Sequence, residues 1–495
     1  MRIDSTKYYR EMLANPEDFE RLIFYKNVNE MLVDCCSRFG DQKCIQYLEG
    51  DKTFNQLNSD SNHIAKVLRD SGVKKGDTVG LLFRNEYDFV ASFFACSKLG
   101  AIAALLPLSL APEVVERLSY LFKYKTILFN SFSLEKFSAI ASLNKINISD
   151  VSFDEVMNSF ELENVEPDDP ACIVFTGGTT GNPKGALLSH KNLCRGALNG
   201  TYAPGKAFGL RYLSLIPFTH IFGLVKNLLS SIISGSVLYL CPNPANFVKE
   251  AAVFMPDTMV LTPGLASMVL TLMKTFSTKM FGPNFKTIIA GGANVPPKLI
   301  KEFYELGINC LPGYGLTEAT NLVTGNADIL TKPESVGIAY PGQELKVVNG
   351  ELLIRGDNVF LGYFGNPEET NKILIDGWLH TGDLASIDGE GFVYIFGRLN
   401  NLIVLSSGLK IVPEEIESII NENKCVKDSI VRKSNENDSI EAEVLLFDNN
   451  ESSKQLVSDY ILNEVNSRIN GDVKVSKIIF REEDFKRTPA MKIIR

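Results

Sequence analysis

CIVFTGGTTGNPKGALLSH, residues Cys172 to His190, opens apolar and then crowds glycines, threonines and a lysine into one short segment. An apolar strand ending in such a loop can present backbone N–H groups to a phosphate. Gly177, Gly178 and Gly181 let the main chain approach an anion closely, and successive N–H groups form an anion-binding nest. Thr176, Thr179 and Thr180 add hydroxyls. A Walker-type loop needs Gly-Lys-Ser/Thr at its end. Here Lys184 follows Pro183 and precedes Gly185, so both required neighbours are wrong. Taken alone, the segment reads equally as a glycine-rich turn between a strand and a helix.

Outward from this stretch, short apolar runs alternate with helix-like segments. TVGLLF (78–83) predicts a buried strand, EYDFVASFFACSKLG (86–100) a helix ended by Gly100, and GAIAALLPL (100–108) another buried run. LLSSIISGSVLYL (228–240) predicts a buried helix followed by a strand. This alternation specifies α/β units with parallel sheets. From about Ser335 to Phe396, glycine-punctuated runs such as ELLIRGDNVFLGYF and GFVYIFGR predict a smaller β-rich lobe. Beyond GRLNNLIVL the chain becomes more polar, with strand-like runs such as EAEVLLF. The expected organisation is a large α/β N-terminal domain over 1–397, built of stacked subdomains with the β-rich lobe, and a small α+β domain over 398–495.

Composition excludes several classes. At 495 residues the chain exceeds what one core organises. Its 45% hydrophobic and 22% charged content suits a globular protein. A net charge of -9 argues against a general nucleic-acid binder. Nine irregularly spaced cysteines fit a reducing cytoplasm better than a disulfide framework. With four histidines and neither Cys-x-x-Cys nor His-Glu-x-x-His, a transition-metal site is not expected. The N-terminus lacks the apolar centre of a secretory signal. No apolar run is long enough to cross a bilayer, so the expected location is the cytoplasm.

Four further motifs carry candidate chemistry. PGYGLTEAT (312–320) places Gly313, Tyr314 and Gly315 before Thr317, a phosphate-binding hydroxyl, and Glu318, a hard oxygen ligand suited to magnesium. GWLHTGDLASID contains Asp383, which after a tight turn could accept both hydroxyls of a ribose; the plainer reading is a hairpin turn at Gly382-Asp383. GRLNNLIVLSSGLKIVPEEIE offers Arg398 for ribose or phosphate, and its Pro413-Glu414-Glu415 predicts a helix start. KRTPAMKIIR ends the chain with Lys492, which by itself is a solvated charge.

The order of these motifs resembles the AMP-forming adenylating enzymes, the superfamily of acyl-CoA ligases, peptide-synthetase adenylation domains and firefly-type luciferases. The resemblance runs from about Thr53 to Arg495 and is nearest to the fatty acyl-CoA ligase branch. It implies that a carboxylate joins the α-phosphate of ATP with release of pyrophosphate, and that a thiol then takes the acyl group. The loop Thr176–Lys184 would hold the departing phosphates, Thr317 would contact phosphate, and Glu318 would help bind Mg2+. Asp383 and Arg398 would be the ribose pair, and Lys492 would bridge the reacting oxygens. AGGANVPP, through Gly291, Gly292 and Ala293, would line adenine and acyl group, and His220 in PFTHIFGL would border the acyl pocket as a gate. Gly408 would lie beside the pantetheine tunnel, and the small domain would rotate about a hinge at Asn400.

Two positions depart from the family pattern. The hinge is usually Asp or Lys, whereas here it is Asn400; Met491 stands where glycine usually precedes the catalytic lysine. Ile221 and Phe222 follow His220 where amino-acid-activating members place an Asp, and an unpaired ammonium there would be costly. Amino acids are therefore disfavoured. Because TGGTTG and IVLSSG look more like the fatty acyl-CoA ligase branch than the aryl-acid branch, the resemblance implies a medium- or long-chain fatty acid, with an aryl acid as the alternative. The expected thiol is coenzyme A, with carrier-protein phosphopantetheine as the alternative. The presence of Lys492, Glu318 and Asp383 disfavours a non-catalytic nucleotide-binding relative.

Overall fold

The structure, a computed structural model, describes residues 3–138, 140–176, 184–434, 438–469, 473–487, 493 and 495. The chain forms two compact units. One takes 1–345, 354–379 and 389–392; the other takes 346–353, 380–388 and 393–495.

The first unit is built on two sheets. The seven-stranded sheet has parallel strands Tyr124–Phe129, Thr78–Leu81, Ile102–Leu105 and Pro170–Thr176 at its centre. Thr78–Leu81 and Ile102–Leu105 are buried along their whole length, as continuous apolar runs in a covered parallel sheet must be. Tyr87–Lys98 packs between them in sequence as a helix buried from Phe89 onward. Gly100 turns the chain out of it at φ +60°, where a side chain would also crowd Lys75 and Val165. The nine-stranded sheet runs Arg211–Ser214, Thr258–Leu261, Thr287–Ala290 and Asn309–Tyr314 as parallel neighbours. Leu213, Met259, Leu261, Ile288 and Cys310 pack there with Phe281 and Phe303 in one apolar cluster. The run 228–240 is a buried helical segment followed by the strand Val237–Leu240.

The opening stretch corrects one expectation. Lys184–Ser189 is a strand, antiparallel to Pro170–Thr176 with Thr176 opposite Lys184. Residues 177–183, which lie outside the described residues, therefore join two strands and not a strand to a helix. The helix begins later, at His190, where Ser189 and Asn192 exchange side-chain and backbone hydrogen bonds in a capping box. Gly185 is required in the intervening strand, because a Cβ there would come within 2.4 Å of the Phe122 ring.

The second unit contains its own core. Val426–Lys433, Ile440–Leu446 and Val475–Arg481 form a three-stranded sheet. Helix Pro413–Ile420 starts with proline at its first turn and two glutamates beside its N-terminus. Ile416 and Ile420 from that helix bury against Val431, Ala442, Val444, Val457 and Val465. The same unit holds the paired segments of Trp378–Ile387 and Val393–Arg398 that lie within 380–388 and 393–398.

Candidate active site

Adjacent parallel strands Thr287–Ala290 and Asn309–Tyr314 end together, and their C-terminal ends carry the two glycine motifs. Ligand sites of open α/β sheets lie outside such carboxyl ends. Gly291 follows the first strand, where a Cβ would stand 3.2 Å from the Phe222 ring, and Gly292 takes φ +84°. After the second strand the chain makes a tight loop through Gly315 and a 3-10 turn at Thr317–Ala319. Thr320 and Asn321 both adopt left-handed backbone, φ +49° and +70°. Strain of this kind persists only where neighbours over-determine it. Here the Asn321 and Val323 N–H groups bond the carbonyls of Leu316 and Tyr314, at 2.9 and 3.1 Å. Thr320 Oγ1 donates to the Asn358 carbonyl, and the Asn358 amide donates to that of Ala319.

This loop presents Glu318 to the other sheet. The Phe360 N–H donates to the Glu318 carbonyl at 2.9 Å, and the Tyr363 hydroxyl donates to Glu318 Oε1 at 2.6 Å. Tyr363 belongs to the short strand Gly362–Tyr363, which pairs with Ala186 and Leu187 just after Lys184. Lys184 Nζ lies 5.2 Å from the centre of the Tyr363 ring and 2.5 Å from Glu369 Oε2. The Lys184 ammonium, assisted by Lys372, holds the Glu369 carboxyl down at about 2. Tyr363 thus links two residues singled out from sequence, Lys184 and Glu318, that lie 134 positions apart (318 − 184). The sequence marks neither Tyr363 nor Glu369 as a site residue; the pairing of Gly362–Tyr363 with Ala186–Leu187 brings Tyr363 there, and the ion pair with Lys184 brings Glu369.

Beside the glycine motifs lies a partly open cavity. Tyr9, Tyr202, Phe222, Tyr314 and Tyr340 supply aromatic walls, and Gly291, Gly292 and Gly313–Gly315 the main-chain wall. Tyr9 stacks on Tyr340 with ring centres 4.7 Å apart, and its hydroxyl donates to the Ile338 carbonyl. Lys226 also lines the cavity and escaped the sequence reading, since a lysine in an apolar helix leaves no motif. His220 is half-buried and accepts the Phe222 N–H on Nδ1 at 3.2 Å. Phe222, not His220, contributes to the cavity lining, and Ala293 lies outside it.

In the second unit, Asp383 and Arg398 are direct cross-strand neighbours. Arg398 Nε meets Asp383 Oδ1 at 2.7 Å, with the carboxylate almost fully buried and the arginine half-exposed. Thr381 Oγ1 accepts the Asp383 N–H at 3.0 Å and donates to the Leu352 carbonyl. The expected turn before Asp383 is absent. Gly382 and Asp383 sit within a ten-residue strand, and Gly382 alone takes a left-handed φ of +70°. The strand continues with every second side chain inward, Leu379, Thr381, Asp383 and Ala385, so the carboxylate is buried in the alternation. Gly408 occupies a turn at φ +82°, where its N–H bonds the Leu405 carbonyl. Lys492 and Met491, like Gly177, Gly178, Thr179, Thr180 and Gly181, lie outside the described residues.

Among the described residues no group of three or more His, Cys, Asp or Glu side chains converges as a metal cage. Magnesium needs none: it is commonly held by one or two carboxylates together with substrate phosphates. A lone Glu318 oriented by a phenol fits that mode. Among the described residues no helix is long and apolar enough to cross a membrane, and all nine cysteines are free thiols.

Two α/β sheets with a Tyr-Gly-x-Thr-Glu turn and an aromatic cavity at their strand ends agree with an adenylate-forming enzyme. The chain belongs to the AMP-binding enzyme family, which matches residues 32–364. It is 29% identical over 400 residues to a 2-succinylbenzoate–CoA ligase of Bacillus cereus (strain Q1), covering 77% of this chain and 80% of that one. It is 29% identical over 477 residues to a long-chain-fatty-acid–CoA ligase of Escherichia coli O157:H7, covering 84% and 83%. In fold it resembles the anthranilate CoA ligase AuaEII solved with anthranoyl-AMP. The TM-score is 0.85 at 22% identity, over 96% of this chain and 97% of that one.

Proposed function

We propose that the protein activates a carboxylic acid with ATP, forming acyl-AMP and pyrophosphate, and passes the acyl group to the thiol of coenzyme A. The observation that carries this reading is the Lys184–Tyr363–Glu318 grouping, whose Glu318 lies in the same loop as the cavity-lining Gly313–Gly315. Joining a carboxylate to a polyphosphate brings two anions together, so cationic and dipolar groups must stand where charge accumulates. Lys184 would neutralise the leaving phosphates on release from Glu369, and Thr317 would donate its hydroxyl to a phosphate oxygen. Glu318 would hold Mg2+, which when bound screens the phosphate charge. Asp383 and Arg398 would take the ribose, Lys492 the reacting oxygens, and Gly408 the pantetheine arm. The free cysteines suit a reducing, cytoplasmic setting.

Two acid classes compete within this reading. A fatty acid is favoured by the likeness to the long-chain ligase across most of both chains. A compact aromatic acid is favoured by the rings of Tyr9, Tyr202, Phe222 and Tyr340 around the cavity. A panel of alkyl and aryl acids, incubated with ATP, Mg2+ and either coenzyme A or a phosphopantetheinylated carrier protein, tests the reading. AMP, pyrophosphate and a coenzyme A thioester are the expected products. Formation of ADP and phosphate would overturn the reading, and transfer to the carrier protein alone would replace the acceptor.

A further inference from the structure

Lys226 is 3% exposed, yet it is one of the residues lining the aromatic cavity. It lies on the π-helical segment Gly223–Leu229, one turn beyond Phe222, which lines the same cavity. Short π-helical insertions are uncommon and concentrate at functional sites. The Lys226 ammonium is held by the carbonyl oxygen of Gly200 and lies 5.5 Å from the centre of the Tyr212 ring. Among the described residues no carboxylate pairs with it. Burial pushes it down to about 7, with no neighbouring charge opposing the shift.

Gly200 caps the helix His190–Asn199, so Lys226 does satisfy a helix C-terminal carbonyl. That alone is a weak reason for a lysine here. An ammonium removed from water without a counter-ion is expensive, and a well-packed apolar side chain of the same length avoids that cost. What lysine adds is a positive group at a cavity whose other lining residues among those described are aromatic, aliphatic, glycine or amide, none of them charged.

We propose that the acid activated here carries a second anionic group, a distal carboxylate, which pairs with Lys226 inside the cavity. This inference rests on the ligase reading above and narrows its substrate. The activated carboxylate is consumed in the adenylate; the distal one stays ionised and supplies the counter-ion that the fold omits. Lys226 is then a specificity-determining residue, and it takes no part in the bond-making step. Binding that is equal in ground and transition states appears in KM and not in kcat.

The test compares dicarboxylic acids with their distal monomethyl esters, which match them in length but lack the second charge. Pyrophosphate exchange gives kcat/KM for the wild type, Lys226→Met and Lys226→Arg. The wild type is expected to favour the free diacids at least about tenfold over the half-esters. Lys226→Met should cut that ratio at least about tenfold, chiefly through KM, and Lys226→Arg should retain part of it. A lysine that only caps a helix would lower both series alike, and an unchanged ratio in Lys226→Met would overturn the proposal. If Lys226→Met fails to fold, the wild-type ratio decides: equal or better use of the half-esters overturns it. Exchange with simple monoacids but with no diacid defeats this inference alone, whereas no exchange with any acid defeats the ligase reading itself.

Discussion

Glu318 and Tyr363 differ in how openly the sequence displays them. Glu318 stands in Gly-Leu-Thr-Glu, where glycines, a hydroxyl and a carboxylate crowd together. Tyr363 stands in Leu-Gly-Tyr-Phe, which reads only as the end of a strand run, and its importance comes from register: pairing with Ala186 aims its hydroxyl at Glu318 Oε1. Pattern reading finds residues whose neighbours advertise a function and misses those whose function is to orient another side chain. Groups that orient a metal ligand matter nearly as much as the ligand, and their removal typically weakens metal binding by about tenfold to a hundredfold. Tyr363→Phe keeps the ring that faces Lys184 and removes only the donor to Glu318. It should raise the Mg2+ concentration needed for half-maximal pyrophosphate exchange by about tenfold, with a smaller loss at saturating Mg2+. A magnesium titration of the exchange checks this, and an unchanged midpoint would remove Tyr363 from the site.

Single elements obey the sequence where one period dominates, and depart from it where two readings share the same residues. Tyr87–Lys98 and Thr78–Leu81 are legible because their apolar content admits nothing else. The segment after Lys184 is not, since Gly-Ala-Leu-Leu-Ser serves a strand or a first helical turn equally well; the Ser189–Asn192 box decides where the helix starts. Likewise Gly382-Asp383 carries the composition of a turn but sits inside a strand, since the inward alternation outlasts the glycine. The loop Gly313–Asn321 gives this distinction an energy. A Cβ on Gly315 would stand 1.0 Å from the Asn321 carbonyl oxygen, which is fixed backbone. A Cβ on Gly264, inside helix Pro263–Thr275, meets nothing within 4 Å. One substitution therefore has opposite consequences at two sites. Gly315→Ala should cost about 3 kcal/mol or more and abolish pyrophosphate exchange by moving Thr317 and Glu318. Gly264→Ala should add about 0.5–1 kcal/mol of stability and leave exchange as it was. Urea unfolding of both variants measures the contrast, and equal effects would mean the loop is not held as described.

For the whole molecule, the decisive stretch is the link between Arg398 and Ile403. Arg398 is fixed by its strand pairing and its ion pair with Asp383, whereas Ile403 already belongs to the apolar core of the C-terminal segment. Between them Leu399–Asn401 forms a single 3-10 turn, closed by the Leu402 N–H on the Leu399 carbonyl at 3.3 Å. The polar Arg-Leu-Asn-Asn is legible as a link because it interrupts two apolar runs; that it is the pivot of a rotation follows from the family resemblance alone. A rotation between half-reactions must be absorbed by a few backbone angles in such a link, and Asn tolerates wide changes in them. Proline at position 400 would fix φ near about −65° and disfavour helical angles at the residue before it. Leu399 is in the 3-10 turn here, so Asn400→Pro should depopulate this form of the link. We predict that Asn400→Pro separates the half-reactions. The step that uses the present turn should slow by at least about tenfold, an added barrier of about 1.4 kcal/mol, while the other keeps most of its rate. Asn400→Ala, which removes the side chain but locks no backbone angle, should slow neither step comparably. Pyrophosphate exchange reads the first half-reaction, and thioester formation from supplied acyl-adenylate reads the second. A folded Asn400→Pro protein with both rates intact, or with both reduced alike, would show that the link at 399–402 is not the pivot.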